Sequence, residues 1–380
     1  MISYREIFLM FLRFGCLAWG GPVAQIGMIH QEVVVRRGWV PEEQFRRTLA
    51  LYQALPGPEA HELCVYFGMT QRGRWGGLLA GLGFMLPGLV LMLALSWAYM
   101  SWGAQALLPL FVGLAPAVAA IVIRAAQRIA QHSLHSRPLW GLAALSVVLT
   151  MLGVHFLYLF ALSAAAQSLW AAGRRMAAII LLAVSVIIVL ALSPMFPAMP
   201  LPDHWGQAGL FLEGLKGGLL SFGGAYTILP LFEQSMVGTY PAITPQSFLD
   251  GIALSNVIPA PTVIFGTYLG FLAGGFGGAM WMTLGIFLPA FAVTLIGHHA
   301  MEKLVHNPAL HGALDGVAAA VIGLLAVTAM QILLMSVTTP HAVLIFALML
   351  IGLYHWHARY AIPAMLLVCA VLGYGLSVML

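Results

Sequence analysis

Charge is what this 380-residue chain has least of. Asp, Glu, Lys and Arg make up 7% of it against 61% hydrophobic residues, a balance that soluble chains of this length do not keep. The runs 75–123, 138–173, 176–202, 251–301 and 316–358 contain no Asp, Glu, Lys or Arg at all. A single crossing needs about 20 apolar residues, so several of these runs must cross a bilayer twice. Ten-residue segments of alternating polarity are also missing, which excludes a transmembrane β-barrel and leaves an all-α polytopic bundle. Cysteine is scarce as well. Cys16, Cys64 and Cys369 lie in apolar sequence without C-x-x-C spacing or neighbouring histidine ligands, so they read as small buried packing residues, with no disulfide framework and no metal site. No Walker A sequence is present, and His61-Glu62 lacks the second histidine of H-E-x-x-H because Val65 stands in its place. The net charge of +4 resides in short loops between apolar segments, so it reports topology and not a nucleic-acid partner. No cofactor is expected. Arg13 interrupts the first apolar stretch and no A-x-A pattern closes it, so no removable signal peptide is expected.

What the chain does have is a duplication. Residues 8–92 are echoed by 211–294: Phe8-Leu9 by Phe211-Leu212, Arg13 by Lys216, Gly15 by Gly218, Trp19-Gly20-Gly21 by Phe222-Gly223-Gly224, and Phe45 by Phe248. Leu55-Pro56-Gly57-Pro58 then matches Ile258-Pro259-Ala260-Pro261, after which the register slips by one, so that Gly68 meets Gly270 and Leu86-Pro87 meets Leu288-Pro289. Glycine and proline dominate the shared positions, and apolar units interrupted at corresponding points are the pattern of a transporter whose site lies between its halves.

Helical segments are expected near 5–19, 21–35, 42–55, 59–71, 76–100, 107–130, 138–152 and 154–171, with a second set at 206–222, 224–237, 245–258, 261–272, 277–297, 309–335, 340–354 and 361–379. This divides the chain into a first repeat at 1–174, a connecting helix and Pro-rich linker at 175–202, and a second repeat at 203–380. Trp97, Tyr99 and Trp102 end a long apolar run and suit an aromatic belt at the headgroups. Cations cluster at 36–47, 72–74 and 124–137 in the first copy, while the corresponding second-copy loops have none; Lys303 and Arg359 appear instead where the first copy has none. Short cytoplasmic loops accumulate Lys and Arg, so equivalent loops face opposite sides and the repeats are inverted. The helix at 175–193 supplies the odd crossing.

Several segments are too short to span. Twelve to fifteen residues rise about 18 to 22 Å, less than a hydrocarbon core of about 30 Å. The pairs around Gly20-Gly21-Pro22 and Pro56-Gly57-Pro58 are therefore expected to be re-entrant or broken helices turning near mid-membrane, with second-copy counterparts at Gly223-Gly224 and Pro259-Ala260-Pro261. Helices that begin at such turns direct free N–H groups and a positive dipole end inward, for which an anion is the natural ligand. Kinks that merely permit close packing are the alternative reading of each break.

The run Phe11-Leu12-Arg13-Phe14-Gly15, then Trp19-Gly20-Gly21-Pro22, Gln31-Glu32-Val33-Val34 with Arg36-Arg37-Gly38-Trp39, and Leu55-Pro56-Gly57-Pro58-Glu59-Ala60 resembles the chromate ion transporter family in its long, two-domain form, over nearly the whole chain. The resemblance implies a multi-pass protein of the bacterial plasma membrane, with two antiparallel homologous domains, that exports chromate and confers resistance to it. Its partners would be chromate or a sulfate-like dianion and the lipid bilayer; a homodimer is left open.

A doubly charged tetrahedral oxyanion needs donors and compensating charge in a place of low dielectric constant. Arg13 and Lys216 are corresponding cations that would each neutralise one charge, or else snorkel to the headgroups. Gln25, Ser255, Asn256 and Thr262 would donate hydrogen bonds near the breaks, or pack between helices. Glu59, His61 and Glu62 begin a helix; a protonatable Glu59 would couple proton binding to anion binding, and simple complementation of the helix dipole is the alternative. The expected binding set is thus Arg13, Gly20, Gly21, Pro22, Gln25, Pro56, Gly57, Pro58, Lys216, Gly223, Gly224, Asn256, Pro259, Pro261 and Thr262, with Glu59, His61 and Glu62 as coupling candidates and no catalytic residue. A transporter of sulfate or another oxyanion, and an intramembrane enzyme acting on lipid-linked phosphate, are the competing readings.

Overall fold

The computed structural model describes residues 2–19, 21–192, 206–221, 225–237, 240, 243–298, 308–356, 358 and 360–379. Gly20, Gly223, Gly224, Lys303, Arg359 and the Pro-rich linker at 194–202 lie outside them. Helix α1 (Tyr4–Cys16) starts where the Glu6 N–H donates to the Ser3 hydroxyl and the Ser3 N–H donates to the Glu6 carboxylate, a reciprocal cap. Then follow α2 (Gly21–His30, prolonged by a π-turn over Gln31–Arg36), α3 (Glu42–Ala54), α4 (Glu59–Trp102), α5 (Ala104–Ser133), α6 (Arg137–Met151), α7 (Phe156–Ala171) and α8 (Arg175–Leu192). The second set comprises α9 (Gly206–Leu219), α10 (Leu229–Met236), α11 (Pro245–Val257), α12 (Phe265–Ala292, prolonged by a π-turn over Val293–Gly297), α13 (Pro308–Ser336), α14 (Pro340–His355) and α15 (Ala361–Met379). Among the described residues four helices, over Glu59–Trp102, Leu110–Ser133, Thr262–Gly297 and His311–Ser336, are long and apolar enough to cross a membrane.

The long helices α4 and α12 are each folded in two. At Arg72 and Gly73 the backbone turns to φ −143° and +62°, and residues 59–71 run back along 74–102 so that Gly68 faces Gly76 and Gly77 meets the Val65 carbonyl. In α12 the same turn falls at Gly274 and Gly275, with φ −149° and +62°, and Gly270 faces Gly278. A φ near +60° is why glycine stands at 73 and 275. The repeat read from sequence thus recurs as backbone geometry, including its one-residue slip.

These turns make the short segments re-entrant. Arg72 Nε donates to the Ile2 carbonyl at 2.7 Å, so the start of α1 and the turn of α4 share one end of the molecule, beside the cationic loop at 36–47. From that end α1 descends along the second half of α4, with Gly15 against the Phe84 carbonyl and Pro87. Both α1 and α3 have 13 residues, a rise of about 20 Å, and each turns back midway.

Two contacts fix the second repeat upside down. Leaving the Arg72 end, α4 passes Ala260 at Gly88 and then Asp250 at Tyr99, whose hydroxyl donates to Asp250 Oδ2 at 2.8 Å. Because Asp250 precedes Ala260 on the way in, α11 enters from the face opposite α3. Reciprocally, the far end of α12 carries His298 to Tyr52 of α3, 3.1 Å from its hydroxyl. The outer helices are exchanged about the same two-fold. α5 lies against α14 and α15 of the other repeat, and α13 lies against α6 and α7. Gly113 abuts the Cys369 carbonyl and Gly373, and Gly316 abuts the Ser163 carbonyl and Gln167. Such reciprocity, in which each position of one copy meets the other's counterpart, is that of an isologous interface.

Three expectations need correction. Trp97 and Trp102 are exposed as a belt requires, but Tyr99 is buried, since its hydroxyl is spent on Asp250. Cys16 is exposed, because it ends α1 on the outward side, whereas Cys64 and Cys369 are buried. Arg124 and Arg128, counted with the loop charges, lie within α5, as the helix expected near 107–130 already requires; the Arg124 guanidinium lies 4.2 Å over the Tyr354 ring, which compensates a cation inside a helix.

Candidate functional site

The re-entrant tips of the two repeats meet at mid-molecule and are sewn together by backbone acceptors that no helix uses. The Gly57 N–H donates to the Ser221 carbonyl at 2.8 Å, and the Trp19 indole donates to the Val257 carbonyl at 3.1 Å. Gln25, 2% exposed, spans two tips: its Nε2 donates to the Ala18 carbonyl at 2.9 Å and to the Ala260 carbonyl at 3.2 Å. Ala18 and Ser221 are equivalent positions, as are Gly57 and Ala260. One half of the two-fold therefore uses a backbone N–H where the other uses a side-chain amide.

Between the tips lies a small crevice lined by Ala18 and Gly21 of the first repeat and by Tyr226, Ser255, Asn256, Ile258, Ala260, Thr262 and Ile362 of the second. Its polar groups are mostly hydroxyls and one amide. The Tyr226 hydroxyl donates to Asn256 Oδ1 at 2.5 Å, Asn256 Nδ2 donates to the Ile252 carbonyl at 2.8 Å, and Ser255 Oγ donates to the same carbonyl at 2.8 Å. Thr262 lies within hydrogen-bonding range of Tyr226 as well. Gly21, Asn256 and Thr262 of the expected set thus line one space, with Gln25 behind it. Pro259 and Pro261 are buried in the turn beside it, and Pro22 is half-buried at the start of α2.

Across the two-fold, the Pro56-Gly57-Pro58 turn covers a different interior. Gly57 has φ +152°, and a Cβ there would come within 2.5 Å of Glu62 Oε1. Pro56 is half-buried, and Pro58, Glu59, His61 and Glu62 are buried. His61 is enclosed by the rings of Phe287 at 4.9 Å, Phe291 at 4.7 Å and Phe84 at 6.4 Å. Both carboxylate oxygens of Glu62 are without a hydrogen-bond partner among the described residues.

The cations divide. Arg13 is exposed on α1, with no ion-pair partner among the described residues. Its counterpart Lys216 is paired with Glu213 and lies 5.5 Å over the Phe156 ring, away from the crevice lining. Arg128, which sequence reasoning counted only as a loop charge, is exposed on α5 and within electrostatic reach of both Glu59 and Tyr226. Its signal was present: two arginines four residues apart near the end of an apolar helix place charge on one face. Tyr226 and Trp19 were missed because an aromatic residue beside a glycine pair is indistinguishable from packing until the tips are juxtaposed. At the cationic loop Glu32 accepts from Arg37 at 2.8 Å and from Arg36 at 3.3 Å, and the Arg37 bond holds its carboxyl below the usual carboxylate range. No group of three or more His, Cys, Asp or Glu among the described residues is arranged to hold a metal.

Hydroxyl and amide groups around a small crevice and converging half-helices, with the Arg128 guanidinium within electrostatic reach of Tyr226, can bind an oxyanion. The family model described as chromate transporter matches residues 5–201 and again 208–374. A chromate transport protein of Pseudomonas aeruginosa is 42% identical over 98% of this chain and 92% of its own length. A probable chromate transport protein of Synechococcus elongatus is 30% identical over 85% of this chain and 83% of its own, and a chromate transport protein of Cupriavidus metallidurans is 29% identical over 84% and 80%. No solved structure matches. With both repeats matched in this way, the chain belongs to the chromate transporter family and is a multi-pass membrane transporter, not an enzyme.

Proposed function

We propose that this protein exports chromate across the bacterial plasma membrane, binding the dianion in the crevice between the re-entrant tips and exposing it alternately to either side as the two repeats rock against each other. Repeats at 1–174 and 203–380, joined by the segment 175–202, are the bodies that move. The observation that carries the reading is the convergence of Gly21, Tyr226, Ser255, Asn256 and Thr262 from opposite repeats on one space, with Arg128 within electrostatic reach of both Tyr226 and Glu59. Arg128 supplies the compensating charge that the paired Lys216 does not, and Arg13 adds charge along the approach from the cationic face. An ionised Glu59 competes with the dianion for Arg128; a protonated Glu59 leaves it free. This competition couples a proton to the anion.

Energetics favour export. Moving one charge through 100 mV is worth about 2.3 kcal/mol, so expelling a dianion from a negative interior gains about 4.6 kcal/mol per 100 mV. The experiment is uptake of labelled chromate into inverted vesicles under a positive-inside potential. Wild-type protein accumulates the label, and Arg13→Ala and Pro58→Ala proteins do not. Accumulation of sulfate in preference to chromate would transfer the proposal to a sulfate carrier on the same scaffold.

A further inference from the structure

Glu62 is 0% exposed, and both of its carboxylate oxygens are unpartnered among the described residues. A buried carboxylate with neither cation nor donor costs several kcal/mol if ionised, and an acid at membrane depth is retained for a function that uses it. The turn is built around it: only the missing Cβ of Gly57 leaves room for Oε1. The titratable and charged groups around it are Glu59 and His61 on its own helix, Tyr52 on α3, and Arg128 on α5 beyond Glu59. Tyr52 is also 0% exposed and lies within electrostatic reach of Glu62, while its hydroxyl sits 3.1 Å from Nδ1 of the half-buried His298. The His298 ring is 4.6 Å from that of Tyr66, whose hydroxyl accepts from Gln44 Nε2 at 3.1 Å in the first turn of α3. Beyond Gln44 come the exposed Glu42, Glu43, Arg46 and Arg47 of the cationic face. Electrostatic reach from Glu62 to Tyr52 and a hydrogen bond from Tyr52 to His298 thus connect the buried acid, through phenol and imidazole, to groups that adjoin the surface. The π-turn over Val293–Gly297 brings the second repeat's His298 onto the first repeat's Tyr52.

We propose that Glu62, Tyr52 and His298 form a proton path from the interior of the first repeat to the cationic face, serving as the release route for the coupled proton. It rests on the transport reading above only for its purpose. In the step, the Glu62 carboxyl swings toward Tyr52 and its O–H bond breaks as a new O–H bond forms on the phenol oxygen. The proton Tyr52 already held passes to Nδ1 of His298. The resulting imidazolium loses its Nε2 proton to water, so Tyr52 ends neutral, Glu62 ends as a carboxylate and one proton has left.

Infrared spectroscopy of the reconstituted full-length protein tests the path without reference to any substrate. The protonated-carboxyl band of Glu62 is assigned by its disappearance in Glu62→Gln. On transfer to deuterated water the band shifts as the proton exchanges, and Tyr52→Phe, which keeps the ring volume, and His298→Gln each slow that exchange by about tenfold or more. Exchange within about twofold of wild type in both variants, or no band lost in Glu62→Gln, would overturn the path. Chromate flux in the same vesicles is read separately. A wild type that moves no chromate sinks the transport reading while the exchange rates still decide the path. Where chromate does move, chromate-for-chromate counterflow stays at the wild-type rate in both variants and flux driven by a pH gradient alone falls about tenfold or more; loss of counterflow in both would reassign these residues to structure.

Discussion

Near the tips, the first repeat carries ionisable groups where the second is filled. Glu59, His61 and Glu62 follow the first turn, whereas Thr262, Val263 and Ile264 follow the second, and Ala260 replaces Gly57. The second repeat instead offers the hydroxyl and amide wall of Tyr226, Ser255 and Asn256. Away from the tips the copies are nearly interchangeable: the turns at Gly73 and Gly275 share a φ of +62°, and Gly15 and Gly218 each press on a carbonyl and a proline of the neighbouring helix. The difference teaches that duplication supplied the scaffold; on the reading proposed above, divergence then gave one half the protonatable groups and the other the anion's donors.

The comparison is most severely tested where the copies are most alike. Gly113 and Gly316 sit against backbone, with an added Cβ 1.8 Å from the Cys369 carbonyl in one case and 2.2 Å from the Ser163 carbonyl in the other. Gly113→Leu and Gly316→Leu should both fail to give monodisperse folded protein in detergent, since no side chain can yield there; survival of only one would show that the two exchanged interfaces are not energetically equivalent.

At Arg128 the copies should part. On the proposed reading Arg128→Ala removes a charge-assisted contact to the anion worth about 1.5 to 3 kcal/mol, so chromate flux should fall about tenfold to a hundredfold. Gln331→Ala, at the equivalent exposed position of α13, should leave flux unchanged, and equal losses would erase the proposed division of labour.

A smaller asymmetry is expected at the turns. Gly57→Ala forces a side chain into a glycine-favouring backbone and onto Glu62, costing about 1 to 3 kcal/mol. Ala260→Gly should cost about 1 kcal/mol or less, and thermal unfolding in detergent compares the two. The smallest effect lies at the cationic loop, where Glu32 pairs with Arg36 and Arg37 while its counterpart Ser235 donates to Glu213 at 2.7 Å. Glu32→Gln should cost about 0.5 kcal/mol. Because the Glu32 carboxyl titrates lower in the folded protein, its contribution is present above the usual carboxylate range and lost as pH falls through the lowered value. Melting curves of wild type and variant should accordingly converge in acid.

Much of this was readable from residues alone. Glycine and proline recur at a nearly constant offset because each enforces a local backbone state, so the breaks, the re-entrant lengths and the repeat could be read directly. Inversion followed from where arginine accumulates, which reflects the membrane's own asymmetry. The crevice was legible only in outline. Gly21, Asn256 and Thr262 do line it, but Lys216 is paired with Glu213. A sequence offset names equivalent residues without telling which has found a partner. Tyr99 was misplaced for a similar reason: an aromatic residue at the end of an apolar run suits a headgroup belt until Asp250 of the other repeat comes within 2.8 Å.

The sequence by itself determined a charge-poor, duplicated, oppositely inserted helix bundle with breaks at matching depths, because composition, backbone preference and loop charge act locally or against the bilayer. Only the tertiary structure decided which tips touch, that the outer helices are exchanged between repeats, that Tyr226 lines the crevice and that Tyr52 is buried against His298. Those outcomes depend on contacts between residues more than a hundred positions apart, such as Gly57 with Ser221 and Tyr52 with His298, whose partners are chosen by packing and not by any pattern along the chain.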